Sequence, residues 1–154
     1  MPASIPNYVS SITTKSLQEL VTAYLNIPED KRHWSPDGKA RTAADQIAEC
    51  TVTNGYTALL LEFHKWETQW MDEFFVEKAR VVSLSWEDIH DMLEENTAKL
   101  ISALNGLQEK DLEIEINMPW GKQKLSELIV YPYWNMSYHL GQINYIASML
   151  GCLP

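Results

Sequence analysis

The chain is poor in cysteine and has no long apolar run. Its 154 residues include only Cys50 and Cys152, whose spacing matches no zinc-binding pattern. One disulfide is compatible with the sequence, but we expect free thiols because disulfides are rare inside cells. No stretch approaches the roughly 18 apolar residues of a membrane span, and the N-terminus lacks a basic region followed by an apolar run. These absences predict a cytoplasmic protein outside the membrane.

Basic residues are also scarce. The sequence has 12 lysines and arginines against 21 aspartates and glutamates, for a formal net charge of -9. Such a surface repels nucleic-acid phosphates and anionic lipid headgroups. There is no glycine-rich phosphate loop and no serine nucleophile elbow. The composition therefore argues against nucleic-acid binding and against the kinase, nucleotide-dehydrogenase and serine-hydrolase classes.

Aromatic and aliphatic residues are plentiful by contrast. Hydrophobic residues make up 45% of the chain, which contains six tryptophans and seven tyrosines. This composition is typical of a packed globular protein rather than a disordered one. The length fits one domain spanning residues 1–154, with a core large enough to fold without cross-links.

Apolar residues at helical spacing predict four main helices, with approximate bounds 7–27, 42–61, 85–106 and 132–151. Thr42 and Ser85 have the side chains of helix N-caps, and Gly106 is a typical stop. Residues 64–84 mix charges with aromatics and predict a partly helical crossover, which permits parallel neighbouring helices.

Residues 112–118 alternate with period two before the turn Pro119-Trp120-Gly121, which predicts a short extended segment. The predicted fold class is therefore all-α: a four-helix bundle with a long crossover between helices two and three and a short extended segment before the last helix.

Asn135, His139 and Gln142 share one face of the last helix, and that face is otherwise apolar. All three side chains should therefore point inward. An unpaired buried polar group costs about 1 to 3 kcal/mol, so partners are required. Glu49 lies within or beside the buried face of helix two and can supply one. Either neighbouring helices or a bound ion must satisfy the cluster.

The element order, the segment Met118-Pro119-Trp120-Gly121 and the segment His139-Leu140-Gly141-Gln142-Ile143 together resemble the DinB/YfiT-like superfamily of metalloenzymes. Members are four-helix bundles in which one histidine on helix two and two on the last helix, in an HxxHHRGQI pattern, bind a divalent metal. The resemblance places His139 at one ligand position. It places Glu49 and Asn135 at the other two.

The resemblance leaves two functions open. In one, His139, Glu49 and Asn135 hold manganese, iron, nickel or zinc, and the protein is a metal-dependent thiol transferase or isomerase. The metal would then lower the pKa of a thiol. In the other, Glu49 and His139 form a buried charge-assisted hydrogen bond that Asn135 and Gln142 complete. The bundle would then be a metal-free small-molecule binding or protein interaction module. The family resemblance also implies a homodimer.

Other candidate residues have ordinary structural explanations. His33, His64 and His90 lack ligand spacing with any partner, so we expect them at the surface. Cys50 follows Glu49 and points away from it, as a packed small residue does. Five aromatic residues could line a pocket above the polar cluster or could belong to the core: Trp34, Tyr56, Trp120, Trp134 and Tyr138.

Overall fold

The computed structural model describes residues 4–154, which form six α-helices and one β-hairpin. The helices are α1 (Ile5–Leu25), α2 (Ala43–Phe63), α3 (Trp70–Val82), α4 (Trp86–Gly106), α5 (Leu125–Leu128) and α6 (Tyr131–Met149). The strands are β1 (Glu115–Met118) and β2 (Gly121–Lys124). Four long helices, α1, α2, α4 and α6, pack together as a bundle, which confirms the predicted fold class.

The predicted caps set the helix starts. The side chain of Thr42 accepts the Asp45 N–H at 3.0 Å, and that of Ser85 accepts the Asp88 N–H at 3.2 Å. The first helix begins two residues earlier than the sequence pattern indicates, because Ser4 is its N-cap. Pro6 then lies in the first turn, where a missing N–H has no consequence.

The crossover between α2 and α4 is mostly helical, as predicted. Helix α3 runs antiparallel to α2, since the Tyr56 ring contacts Trp70 while Lys78, two turns further along α3, reaches Asp45 near the start of α2. The chain therefore returns to the end at which α2 began, and α4 runs parallel to α2. This order makes room for α6 on another side of α2.

The extended segment is one strand of a hairpin. Strand β1 pairs with β2 in antiparallel register, with Met118 opposite Gly121. Ile116 and Met118 are buried and pack with the apolar residues of α5, whereas Trp120 stands exposed at the turn. The sequence predicted the first strand but not its partner, because the residues of β2 are mostly polar and exposed.

Two apolar clusters fill the bundle. Their fully buried members include Leu20, Ile47, Leu93, Met136 and Ile143 in one, and Leu100, Leu104, Ile116, Leu125 and Ile129 in the other. Cys50 is completely buried in the first cluster, and burial raises the pKa of its thiol. Cys50 and Cys152 are both free thiols, as expected. Within residues 4–154, no helix combines the length and apolarity that crossing a bilayer requires.

Helices α2 and α4 approach closely at Gly55. The Asn96 amide donates to the backbone oxygen of Thr51 at 2.9 Å, and a Cβ added at Gly55 would lie 2.8 Å from the same amide nitrogen. A Cβ at residue 55 would therefore push the Asn96 amide from the position in which it donates to Thr51.

We expect Gly55→Ala to be about 1 to 2 kcal/mol less stable than Gly141→Ala, because only the first change displaces a hydrogen-bonded side chain. A Cβ at Gly141 meets nothing within 4 Å, so that variant gains the helix preference of alanine. Urea unfolding of both proteins measures the difference. Equal stabilities would show that Asn96 moves aside freely.

Candidate functional site

The structure brings together the three residues that the resemblance indicated. His139 Nε2 lies 3.0 Å from Glu49 Oε1, and the Asn135 amide donates to the same oxygen at 3.2 Å. Asn135 and His139 are one turn apart on α6 and only 1% exposed. Glu49 extends from α2, and 19% of its side-chain surface is exposed to solvent. One carboxylate thus joins the two helices across the bundle.

The second ring nitrogen of His139 contacts a residue that the sequence did not single out. His139 Nδ1 lies 2.9 Å from Gln46 Oε1, and Gln46 is buried one turn before Glu49 on α2. Both ring nitrogens of His139 are therefore engaged by side chains of α2, one by a carboxylate and one by an amide. His139 is therefore held from both sides by α2.

The prediction that Gln142 completes this network is wrong. Gln142 is only partly buried, and Gln46 takes the expected place on the histidine. Helices α2 and α6 are antiparallel at this point, because Gln46 meets His139 whereas Glu49 also reaches Asn135. Residue 142 therefore lies level with Ala43, the first residue of α2, and beyond the turn that carries Gln46 and Glu49.

Two permanent cations approach the outer oxygen of Glu49. Arg41 Nη2 donates to Glu49 Oε2 at 2.7 Å, and Lys78 Nζ lies 3.5 Å from that oxygen. Both cations also contact Asp45, Lys78 at 3.0 Å and Arg41 through its Nε atom. Arg41 precedes α2 and Lys78 comes from α3. Together with Gln46, these residues extend the predicted triad, and we call the whole group of seven the polar cluster: Arg41, Asp45, Gln46, Glu49, Lys78, Asn135 and His139.

A sequence signal existed for part of the polar cluster. Arg41, Asp45 and Glu49 recur at four-residue spacing, which places them on one helical face when Arg41 is read as part of the first turn. Lys78 offers no such signal, because its contact depends on how α3 folds back along α2. The sequence interpretation missed both cations.

The surroundings keep both carboxylates ionised. Burial raises the pKa of Glu49, but hydrogen bonds from His139, Arg41 and Asn135 and the charge of Arg41 outweigh it, so the pKa lies well below its usual range. Burial also raises the pKa of Asp45, and hydrogen bonds from Arg41 and Lys78 again reverse the direction. In the polar cluster, the carboxylates of Asp45 and Glu49 are thus paired with the cationic side chains of Arg41 and Lys78.

A cavity of about 570 Å³ adjoins the polar cluster, with Glu49 in its wall. Helices α2 and α3, the hairpin, α5 and the start of α6 surround it. Six aromatic residues line it: Tyr56, Trp66, Phe74, Phe75, Trp120 and Tyr131. This volume is in the range of small-molecule sites, which are mostly apolar with a few polar groups.

Two of the five predicted pocket aromatics, Tyr56 and Trp120, line this cavity. The other three lie elsewhere. Trp34 packs against the first apolar cluster, and Trp134 and Tyr138 are half exposed on the outer face of α6, stacked with ring centroids 5.4 Å apart. Of the two alternatives that the sequence left open, pocket lining holds for Tyr56 and Trp120 and core packing for Trp34, whereas Trp134 and Tyr138 fit neither.

The remaining histidines lie outside the polar cluster, as predicted. His33 and His64 are exposed, and His90 lies 3.6 Å from Glu94 on the surface of α4. A wider groove of about 1090 Å³ runs between α2, α3 and α4, but none of Glu49, Asn135 and His139 lines it. The smaller cavity is accordingly the one that belongs to the candidate site.

The bundle order and the crossover define a four-helix bundle of the YfiT type. YfiT from Bacillus subtilis, described as a probable metal-dependent hydrolase with an unusual four-helix bundle topology, superposes with a TM-score of 0.76 at 11% identity, covering 97% of this chain and 90% of YfiT. A structural-genomics protein from Streptococcus pneumoniae superposes with a TM-score of 0.69 at 15% identity, covering 95% of this chain and 93% of that protein. An uncharacterised protein from Clostridium difficile 630 superposes with a TM-score of 0.63 at 16% identity, covering 92% of this chain and 96% of that protein.

These likenesses establish the fold. No protein-family model and no curated protein sequence matches the chain. Among residues 4–154, no group of three or more histidine, cysteine, aspartate or glutamate side chains is arranged to hold a metal ion.

We expect Glu49→Gln to lower the free energy of unfolding at neutral pH by about 2 to 4 kcal/mol, because it removes the carboxylate that contacts His139 and leaves Arg41 and Lys78 with Asp45 as their one anion in the polar cluster. Glu19→Gln is the control, since the exposed Lys15–Glu19 pair should contribute almost nothing. Urea denaturation of both variants measures the losses. Similar small losses would contradict the role of Glu49.

The contacts of Glu49 also predict that the stability of the protein depends on pH. Because the pKa of Glu49 is lowered in the folded protein, its carboxylate stabilises the fold at pH values above the pKa in the unfolded chain, near 4.5. This contribution declines as the pH falls below that value. Between pH 7 and pH 3, the wild type should lose more stability than Glu49→Gln. Parallel stability curves for the two proteins would show that Glu49 titrates normally.

Proposed function

We propose that this protein is a metal-independent member of the YfiT-type bundles that binds a small molecule in the cavity beside Glu49. The observation that carries the proposal is the state of the Glu49 carboxylate. Its two oxygens already face four donors, from His139, Asn135, Arg41 and Lys78. Three of these contacts are hydrogen bonds and the fourth is an ammonium at 3.5 Å, so a carboxylate with about four lone-pair positions has little capacity left for a metal.

The charges near Glu49 lead to the same conclusion. A divalent cation bound there would lie beside the guanidinium of Arg41 and the ammonium of Lys78, which are 2.7 and 3.5 Å from Glu49 Oε2. Like charges at this distance repel strongly in a half-buried site. Arg41 and Lys78 supply the positive charge that a metal would otherwise bring to the carboxylate.

His139 is equally poorly placed to act as a metal ligand. A metal needs a bare ring nitrogen, whereas both nitrogens of His139 face acceptor oxygens at 2.9 and 3.0 Å. Within residues 4–154, the Asn135 Oδ1 atom is buried without a hydrogen-bond partner. One neutral amide oxygen is a single weak ligand and does not make a site. The residues present do not fit a divalent metal.

The cavity supports the binding function. It places six aromatic side chains and a few polar ones around a volume suited to a small molecule. The rival function, a metal-dependent thiol transferase or isomerase, needs a metal to activate the thiol. Cys50 cannot replace that thiol, because it is buried and its pKa is raised.

We expect the untagged protein, purified without chelator, to contain far less than one equivalent of manganese, iron, nickel or zinc. Its melting temperature should not change when these metals or EDTA are added, because no ligand set is free. Elemental analysis and calorimetry measure both. Stoichiometric metal that disappears in His139→Ala would overturn the metal-free proposal.

We expect Thr57→Phe to abolish ligand binding in the cavity. Thr57 lies in the cavity wall, so a phenyl ring there fills the space that a ligand needs. Thr57→Val is the matched control, because it keeps the size of threonine. Ligand-observed NMR with a fragment set of neutral, cationic and anionic compounds should detect binding to wild type and Thr57→Val and a loss of at least about tenfold in Thr57→Phe. If no fragment distinguishes the two variants, the cavity is not a binding site.

A further inference from the structure

We propose that the ligand is an organic cation, a quaternary ammonium or a protonated amine that carries apolar groups. This inference rests on the proposed binding function and names the class of compound that the same cavity takes. The aromatic faces and the acidic groups of the cavity wall together carry it.

The ionisable side chains of the wall have one sign. Glu49 and Glu127 line the cavity, and no lysine, arginine or histidine among residues 4–154 lies in its wall. An anionic ligand, such as a carboxylate or phosphate, would therefore enter without a charged partner. Arg41 and Lys78 do not change this, because they contact Glu49 and Asp45 rather than the cavity.

The aromatic rings of the wall are tilted against one another. The Trp66 ring lies 6.3 Å from those of Tyr56 and Trp120, at interplanar angles of 40° and 55°. Tyr56 and Phe74 are 6.0 Å apart at 52°. Tilted rings do not cover one another's faces as stacked rings do, so the wall can present electron-rich faces toward the space. Such faces attract a cation within about 6 Å of a ring.

The ring of Trp120 is oriented by a neighbour in the hairpin. Its Nε1 atom donates to Gln123 Oε1 at 2.9 Å, and Gln123 also lines the cavity. The polar edge of the indole is thereby occupied, and the face is left for contact with a ligand. Because Trp120 is 60% exposed, replacing it should change binding without unfolding the protein.

Glu127 forms no ion pair within 4 Å in the described part of the chain, although the nearby ammonium of Lys124, which pairs with Glu113, attracts it. One of its oxygens accepts the Lys124 N–H at 2.9 Å as a helix cap, and the side chain is exposed at the cavity. The charge of Glu49, by contrast, is already balanced by Arg41 and Lys78. A ligand cation should therefore sense Glu127 more than Glu49, and the net charge of -9 adds a favourable long-range field.

Choline and its neutral isostere 3,3-dimethyl-1-butanol test the inference, because the two differ only in replacing the charged nitrogen by carbon. We expect choline to bind wild type about tenfold more tightly in NMR titrations, which is within the range of cation–π attraction. Equal affinities, or a preference for the alcohol, would overturn the inference.

Variants of cavity residues test whether the preference for choline over the neutral alcohol arises in this cavity. Glu127→Gln should weaken choline binding about threefold or more and leave the alcohol unchanged, since glutamine can still cap the helix. Trp120→Leu should weaken choline binding, whereas Trp120→Phe should retain most of it because a ring face remains. A choline preference that survives both Glu127→Gln and Trp120→Leu would place the cation elsewhere and overturn the inference.

The cavity-filling variant separates the two proposals. If neutral compounds bind wild type and are lost in Thr57→Phe while choline shows no advantage, the binding function stands and the cation inference fails. If no compound of any charge responds to Thr57→Phe, the binding function itself fails, and the cation inference fails with it.

Discussion

The hydrogen bond between Glu49 and His139 is the constraint on which this bundle depends. It joins α2 to α6 through a carboxylate that is partly removed from water, and such a group is stable only when other donors replace the lost hydration. Here the donors come from separate segments: Asn135 and His139 on α6, Arg41 before α2, and Lys78 on α3. One ionised group therefore fixes the positions of three helices and a loop end.

The topology explains how one carboxylate reaches so many partners. Helices α3 and α6 both run antiparallel to α2, so their side chains approach the first half of α2 from two sides. The same return of α3 brings Phe74 to Tyr56 and forms one wall of the cavity. The polar cluster and the aromatic cavity are thus consequences of one crossover. Glu49 belongs to both and marks their boundary.

Local patterns predicted the parts of the molecule that local physics determines. Thr42 and Ser85 cap their helices as expected, and the helical face shared by Asn135 and His139 faces α2. The resemblance then supplied Glu49, which periodicity alone only placed near a buried face. Partners that depend on how helices align were not predictable in this way. Gln46 and Lys78 gained their roles, and Gln142 lost its own, through the antiparallel arrangement of α2 with α3 and α6.

The carboxylates of the polar cluster are paired with cations, whereas Glu127 in the cavity wall is not, and this difference affects how the cavity could bind a ligand. In the polar cluster, positive side chains already satisfy both carboxylates, so a ligand gains little by approaching Glu49. In the proposed binding function, selectivity would therefore come from the aromatic faces and from Glu127, which forms no ion pair within 4 Å among residues 4–154, at the hairpin side of the cavity. A metal site would need the opposite arrangement, with bare ligands inside and counter-charges outside. The fold is similar to that of YfiT, and the charges of the polar cluster hold its helices together. In the proposed function, recognition of a ligand then falls to the aromatic wall of the cavity.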